Sequence, residues 1–115
     1  MFTVRGENIY PSAIDDVIVA AGGYGGEHRI VISRSGSMDE LTVQVEHDDE
    51  VAASGDPGVY AWSDQLAERL RTVLGVNANV KAVRRGSFER TDLKSRRVVD
   101  EREHTLQADP VAPRG

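Results

Sequence analysis

At 115 residues, with 39% hydrophobic and 29% charged side chains, the chain is one domain with room for a modest core. It contains no cysteine, which excludes disulfides, thiol nucleophiles and thiolate metal sites. No apolar run approaches the ~20 residues of a membrane span, and no basic-then-apolar signal opens the chain, so a cytoplasmic setting without membrane contact is expected.

Phe2 to Arg5 reads as a short strand interrupted by Gly6. Ser12 is placed to cap a helix, with Pro11 at its entry and Asp15 in a capping-box-like position. Ile14, Val17, Ile18 and Ala21 form one apolar helical face, and Gly22 and Gly23 stop it. Arg29 to Arg34 is a strand around the apolar run Ile30-Val31-Ile32. After the turn residues SRSGSMDE comes a second strand, in which Leu41, Val43 and Val45 alternate with Thr42, Gln44 and Glu46. The two make an antiparallel hairpin. Asp48 to Tyr60, with Gly55, Pro57 and Gly58, reads as an acidic loop. A helix is expected from about Trp62 to Leu74, with Leu66, Leu70, Val73 and Leu74 inward and Gly75 as its stop. A core strand follows within Val76–Val83, and Ser95–Glu103 is open between helix and strand. Residues 105–115 lack periodicity and are expected to be a disordered tail, leaving 1–104 as the domain.

The order β-α-β-β-α-β with a C-terminal appendage predicts an α+β, ferredoxin-like split fold, with two helices on one face of an antiparallel sheet. That fold hosts enzymes and binding modules alike, so it leaves function open.

The net charge of −5 is unevenly spread. Lys81–Arg102 holds eight of the fourteen basic residues and only four acids, a segment at +4 against −9 elsewhere. A localised positive face suits a phosphate-bearing partner such as a nucleotide or coenzyme A. Nucleic acid is disfavoured, because the domain is acidic and poor in aromatic residues for stacking. Within the basic segment Lys94 sits in a polar stretch with the chemistry to steady charge on a phosphate. The glycines Gly22, Gly23, Gly25 and Gly26 lack a preceding strand and a following Gly-Lys-Ser/Thr, so a phosphate cradle is not expected. His47-Asp48-Asp49-Glu50 reads as a solvated turn, His28 and His104 show no ligand spacing, and no metal site is expected.

Two segments carry a resemblance. GSFERTDLKSRRVVDER at 86–102 resembles the phenylacetate-CoA ligase stretch G-s-l-P-R-s-e-G-K-a-x-R-v-x-D-x-R, through Gly86, Ser87, Arg90, Lys94, Arg97, Val98, Asp100 and Arg102. Glu89 stands where that family has proline and Leu93 where it has glycine. RGENIYPSAID at 5–15 resembles the same family's R-G-x-N-V-F-P-S-x-I-E. Both belong to the small C-terminal domain of these adenylate-forming enzymes, and the resemblance covers roughly residues 3–102.

The resemblance implies a mobile lid of an aryl or arylalkyl acid-CoA ligase, inactive alone and partnered by a large N-terminal adenylation domain. It implies Lys94 as the catalytic lysine of adenylation, the Arg5-Gly6 turn on the coenzyme A side, and Arg90 and Arg97 as further cofactor-binding residues. ATP/AMP, Mg and coenzyme A would be the complete enzyme's cofactors, and acyl-adenylate its intermediate. The start just before RGEN is expected to mark a domain cut from a longer chain. The alternative is a standalone α+β module that binds a small ligand or protein and pairs as a homodimer through an exposed edge.

Overall fold

The computed structural model describes residues 1–90 and 97–102. The chain opens on a two-stranded hairpin, β1 (Phe2–Val4) and β2 (Glu7–Ile9), with Val4 opposite Glu7. Arg5 and Gly6 form its two-residue turn, both with positive φ (51° and 82°), the twist that tight antiparallel hairpins need. Helix α1 (Pro11–Ala21) follows, then the long strands β3 (Tyr24–Ser35) and β4 (Met38–His47). Next come a short α2 (Asp49–Ala53), α3 (Gly55–Leu74), β5 (Asn79–Arg84) and β6 (Val98–Asp100).

The main sheet has the order β5-β4-β3-β6. Only β3 and β4 are antiparallel; β5 runs parallel to β4 and β6 parallel to β3. The domain is therefore α+β with a mixed sheet, and the expected antiparallel ferredoxin-like split is corrected. The Arg5-Gly6 turn folds the first strand back after three residues, so it never reaches the sheet. The position beside β3 is taken by Val98–Asp100.

Helix α1 starts at Pro11, one residue before the expected cap, and Tyr10 gives no side-chain cap. Proline at the first helical position has no N–H to leave unsatisfied and a φ already helical. The expected acidic loop is mostly helix. Asp48 caps α2 by accepting from the Val51 N–H at 2.9 Å, and α3 begins at Gly55. Pro57 lies in the first turn of α3, where proline is tolerated. Gly75 closes α3 in the left-handed conformation, as expected.

The core lies between the helices and one face of the sheet. Ile14 and Ile18 of α1 and Leu66, Leu70 and Leu74 of α3 pack with Ile30, Ile32, Leu41, Val43 and Val45. Val4 and Ile9 of the small hairpin join this cluster and tie it to the domain. Among the described residues, no helix is long and apolar enough to cross a membrane.

Candidate functional site

Side chains alternate across a strand, so Glu27 and Glu46 project from the sheet face opposite the core. Both are nevertheless buried, Glu46 against Phe88 and Arg90 and Glu27 against Arg97. Glu46 is fully buried: it accepts from Arg90 Nη1 at 2.7 Å and from the Phe88 N–H at 2.9 Å. Arg90 also donates through Nη2 to the Gly25 carbonyl at 3.2 Å. Burial pushes the Glu46 carboxyl up, but the Arg90 guanidinium and the Phe88 and Gly86 amides outweigh it and hold it below its ordinary value. Nearby, Arg97 Nε donates to Glu27 Oε1, a contact that raises the arginine's pKa further. The Arg29 guanidinium stands 4.6 Å from the Phe88 ring centroid, which pins the same segment from the sheet side.

The glycine pair Gly25-Gly26 makes this approach possible. The ladder shifts register between Tyr24 and His28, so these residues form an irregularity in β3 opposite Glu46. A Cβ on Gly25 would stand 2.6 Å from the His47 carbonyl oxygen and 2.9 Å from Glu46 Cβ. A Cβ on Gly26 would stand 3.1 Å from Arg90 Nη2. Gly25 thus lets β4 pass close, and Gly26 lies against the Arg90 guanidinium.

A second polar cluster occupies the opposite end of the β3–β4 hairpin. Arg5 Nε donates to the Asp39 carbonyl at 2.9 Å. The Asp39 carboxylate accepts from Arg34 at 3.0 Å and from Arg102 at 2.7 Å, and these contacts, Arg34's first, lower its pKa. Arg102 also donates to the Thr3 carbonyl at 2.8 Å and to Asp100. From Asp39 to Glu46 is seven residues of strand, ~24 Å at about 3.4 Å per residue. The residues implied by the resemblance therefore fall into two groups: Arg90 and Arg97 at one end, Arg5 and Gly6 at the other, with β6 running between. Lys94 lies in 91–96, outside the described residues, as does the tail expected from residue 105.

Sequence reasoning missed a third network. Asp15, expected as a capping-box partner, turns inward instead, with its Oδ1 2.7 Å from His28 Nε2. Tyr24 Oη is 2.8 Å from His28 Nδ1. Burial lowers the His28 pKa against the opposing pull of Asp15, and burial pushes Tyr24 up to about 12. A neutral ring satisfies both contacts, accepting from the tyrosine hydroxyl and donating to the carboxylate. The signal was present: His28 shares its strand face with Ile30 and Ile32. His47, read as part of a solvated turn, is also buried and packs edge-on against Trp62. Among the described residues, no group of three or more His, Cys, Asp or Glu is arranged to hold a metal.

A lowered histidine pKa fixes the sign of one pH effect. The stability it contributes is complete above the unfolded value of 6.5 and is lost as pH falls through the lower folded value. The thermal midpoint is expected to fall as pH drops below about 6.5, and to fall less steeply in His28→Gln. Parallel curves for the two proteins would remove His28 as the titrating group. Glu46 and Asp39 act in a more acid window, below their ordinary values of 4.5 and 3.8.

The family model for the AMP-binding enzyme C-terminal domain matches residues 6–102. The chain belongs to this family. It falls on the phenylacetate-CoA ligase-like branch. The phenylacetate-coenzyme A ligase of Aromatoleum evansii is 30% identical over 104 residues, 89% of this chain and 24% of that protein. The Escherichia coli (strain K12) enzyme is 28% identical over 100 residues, 87% of this chain and 23% of that protein. The chain thus spans about a quarter of the length of the curated relatives it matches. A 2-hydroxyisobutyryl-CoA ligase solved with 2-HIB-AMP and CoA in the thioesterification state is 46% identical, with a TM-score of 0.86 over all of this chain and 24% of that one. A solved domain of phenylacetate-coenzyme A ligase from Bacteroides vulgatus is 25% identical with a TM-score of 0.79, over 89% of this chain and 92% of that one.

Proposed function

We propose that this domain is the mobile C-terminal part of an ATP-dependent acid-CoA ligase and serves its two half-reactions from opposite ends. The observation that carries the reading is the separation of the Arg5-Gly6 turn, at the Asp39 end of the β3–β4 hairpin, from the Arg90 and Arg97 guanidinium groups, at its Glu46 and Glu27 end. The 2-hydroxyisobutyryl-CoA ligase to which the chain is similar was captured both in a postadenylation state with 2-HIB-AMP and in a thioesterification state with CoA, as a two-faced domain requires.

In the first half-reaction a substrate carboxylate oxygen attacks the α-phosphorus of ATP and the bond to pyrophosphate breaks. Negative charge grows on the phosphate oxygens, and the Lys94 ammonium stabilises it more in the transition state than before. In the second, the coenzyme A thiolate attacks the acyl carbon, the acyl–oxygen bond breaks and AMP leaves. Here the Arg5-Gly6 turn faces the thiol channel: Gly6 has no atom within 4 Å of where a Cβ would stand, so its backbone is open to close approach. Arg90, with half its side chain exposed, keeps a surface for a cofactor phosphate, whereas Arg97 is 16% exposed and has little. The large domain supplies the remaining nucleotide contacts and the acid pocket, so the chain alone has no ligase activity.

Lys94→Ala in the complete ligase tests this. Adenylation is expected to fall ~10²–10³-fold, the usual loss of one transition-state donor, while thioester formation from supplied acyl-adenylate falls far less. Equal loss in both half-reactions, or loss in neither, would overturn the assignment.

A further inference from the structure

We infer that Glu46 and Glu27 are positioning residues for adenylation: their buried carboxylates fasten Arg90 and Arg97, which flank Lys94 in sequence, to the open face of the sheet. The inference rests on the reading of Lys94 as the adenylation lysine. A carboxylate on a solvent-side strand face ordinarily points into water, yet Glu46 is 0% exposed and Glu27 2%. Burying an ion is costly unless it is paired and hydrogen-bonded. Both are: Glu46 takes Arg90 on one oxygen and the Phe88 N–H on the other, and Glu27 takes Arg97. At the register shift a Cβ on Gly26 would stand 3.1 Å from Arg90 Nη2 and one on Gly25 2.6 Å from the His47 carbonyl oxygen, so β3 is tightly packed where Arg90 crosses.

The two anchors differ in geometry. Arg90 spans Glu46 and the Gly25 carbonyl with its two terminal nitrogens, a fork that lysine does not reproduce. Arg97 uses Nε and passes directly into β6, whose register beside Ile30–Ile32 then fixes its direction. Arg90, lying against the sheet face, and Arg97, just before β6, are thus each held by a buried carboxylate. This places the two arginines as anchors more than as ligands, and it gives two acidic residues outside the recognised segments a part in the reaction.

The test compares Glu46→Gln, Arg90→Lys and Lys94→Ala in the complete ligase, each half-reaction assayed separately. The expected result is that Glu46→Gln and Arg90→Lys lower the adenylation rate relative to thioesterification by about tenfold or more, the scale of losing a group that orients a reacting one. KM for ATP is expected to stay near the parent value in Glu46→Gln, because this buried carboxylate holds Arg90 and does not itself meet nucleotide. General destabilisation would instead lower both half-reactions together, and that result overturns the inference. If Glu46→Gln fails to fold, Arg90→Lys, which keeps the charge, decides by the same ratio. A normal ratio in these variants beside a crippled Lys94→Ala overturns the anchoring alone. A silent Lys94→Ala overturns the ligase reading, and the anchoring with it.

Discussion

Gly25→Ala is expected to lose about 1–3 kcal/mol of stability, the usual cost of forcing extra atoms into a packed site. In a domain of this size that lowers the thermal midpoint by ~5–20 °C. Two of the three atoms nearest the new Cβ belong to the His47 backbone carbonyl, with its oxygen at 2.6 Å, and the third is Glu46 Cβ at 2.9 Å on a fully buried side chain. None of them is the free end of a flexible chain, so relief requires β3 and β4 to separate. That separation also lengthens the Arg90 contacts to Glu46 and to the Gly25 carbonyl, so stability and the anchored segment are lost together. Gly36→Asn is the comparison: Gly36 has φ of 64° and no atom within 4 Å, and asparagine tolerates that conformation. It is expected to change the midpoint by only a few degrees. Similar, small losses at both positions in thermal unfolding would mean the irregularity in β3 yields, and that its glycines are not required by the ion pair.

What was legible in the sequence was short-range. The inward face of α1, the alternation of β4 and the glycine stops depend on residues within two turns or one strand, and all three appear. Pairing between distant segments was not legible. Nothing local to Val98–Asp100 says that it lies parallel to β3, or that Phe2–Val4 leaves the sheet. Gly55, Pro57 and Gly58 carry loop signals, yet helix formation continues through them because α3 buries Leu66, Leu70 and Leu74 further on.

Charge is a local signal that only the fold resolves. The basic segment reads as a positive face suited to a phosphate-bearing partner, but segregation along the chain is not segregation in space. Arg85 pairs with Asp49, Arg90 with Glu46, Arg97 with Glu27 and Arg102 with Asp39, so four of its six described basic residues meet acids of the remaining chain. The excess of acid elsewhere is in part the complement of this segment. Glu46 shows why alternation alone misplaced it: the pattern set its face correctly, and a segment 42 residues away decided its burial.

Gly6→Ala should separate the half-reactions in the direction opposite to Lys94→Ala. Within the domain, the added methyl meets nothing within 4 Å, so its direct cost is the strain of φ at +82°, about 1–2 kcal/mol. That strain falls on the end of the hairpin ~24 Å from Glu46, by strand rise, and the Arg90 and Arg97 anchors lie outside its reach. Adenylation is therefore expected to lose little at temperatures where the protein stays folded. In the proposed two-ended arrangement the turn approaches the coenzyme A channel of the large domain during thioester formation, and a methyl group there would displace it. A displacement of about 1 Å in a reacting complex is worth ~10²-fold, which sets the expected loss in the second half-reaction. Measuring both half-reactions for both variants gives a crossed result if the domain works from two ends. If Gly6→Ala slows both steps in proportion to its loss of stability, the turn is only a hairpin turn and the coenzyme A side of the domain lies elsewhere.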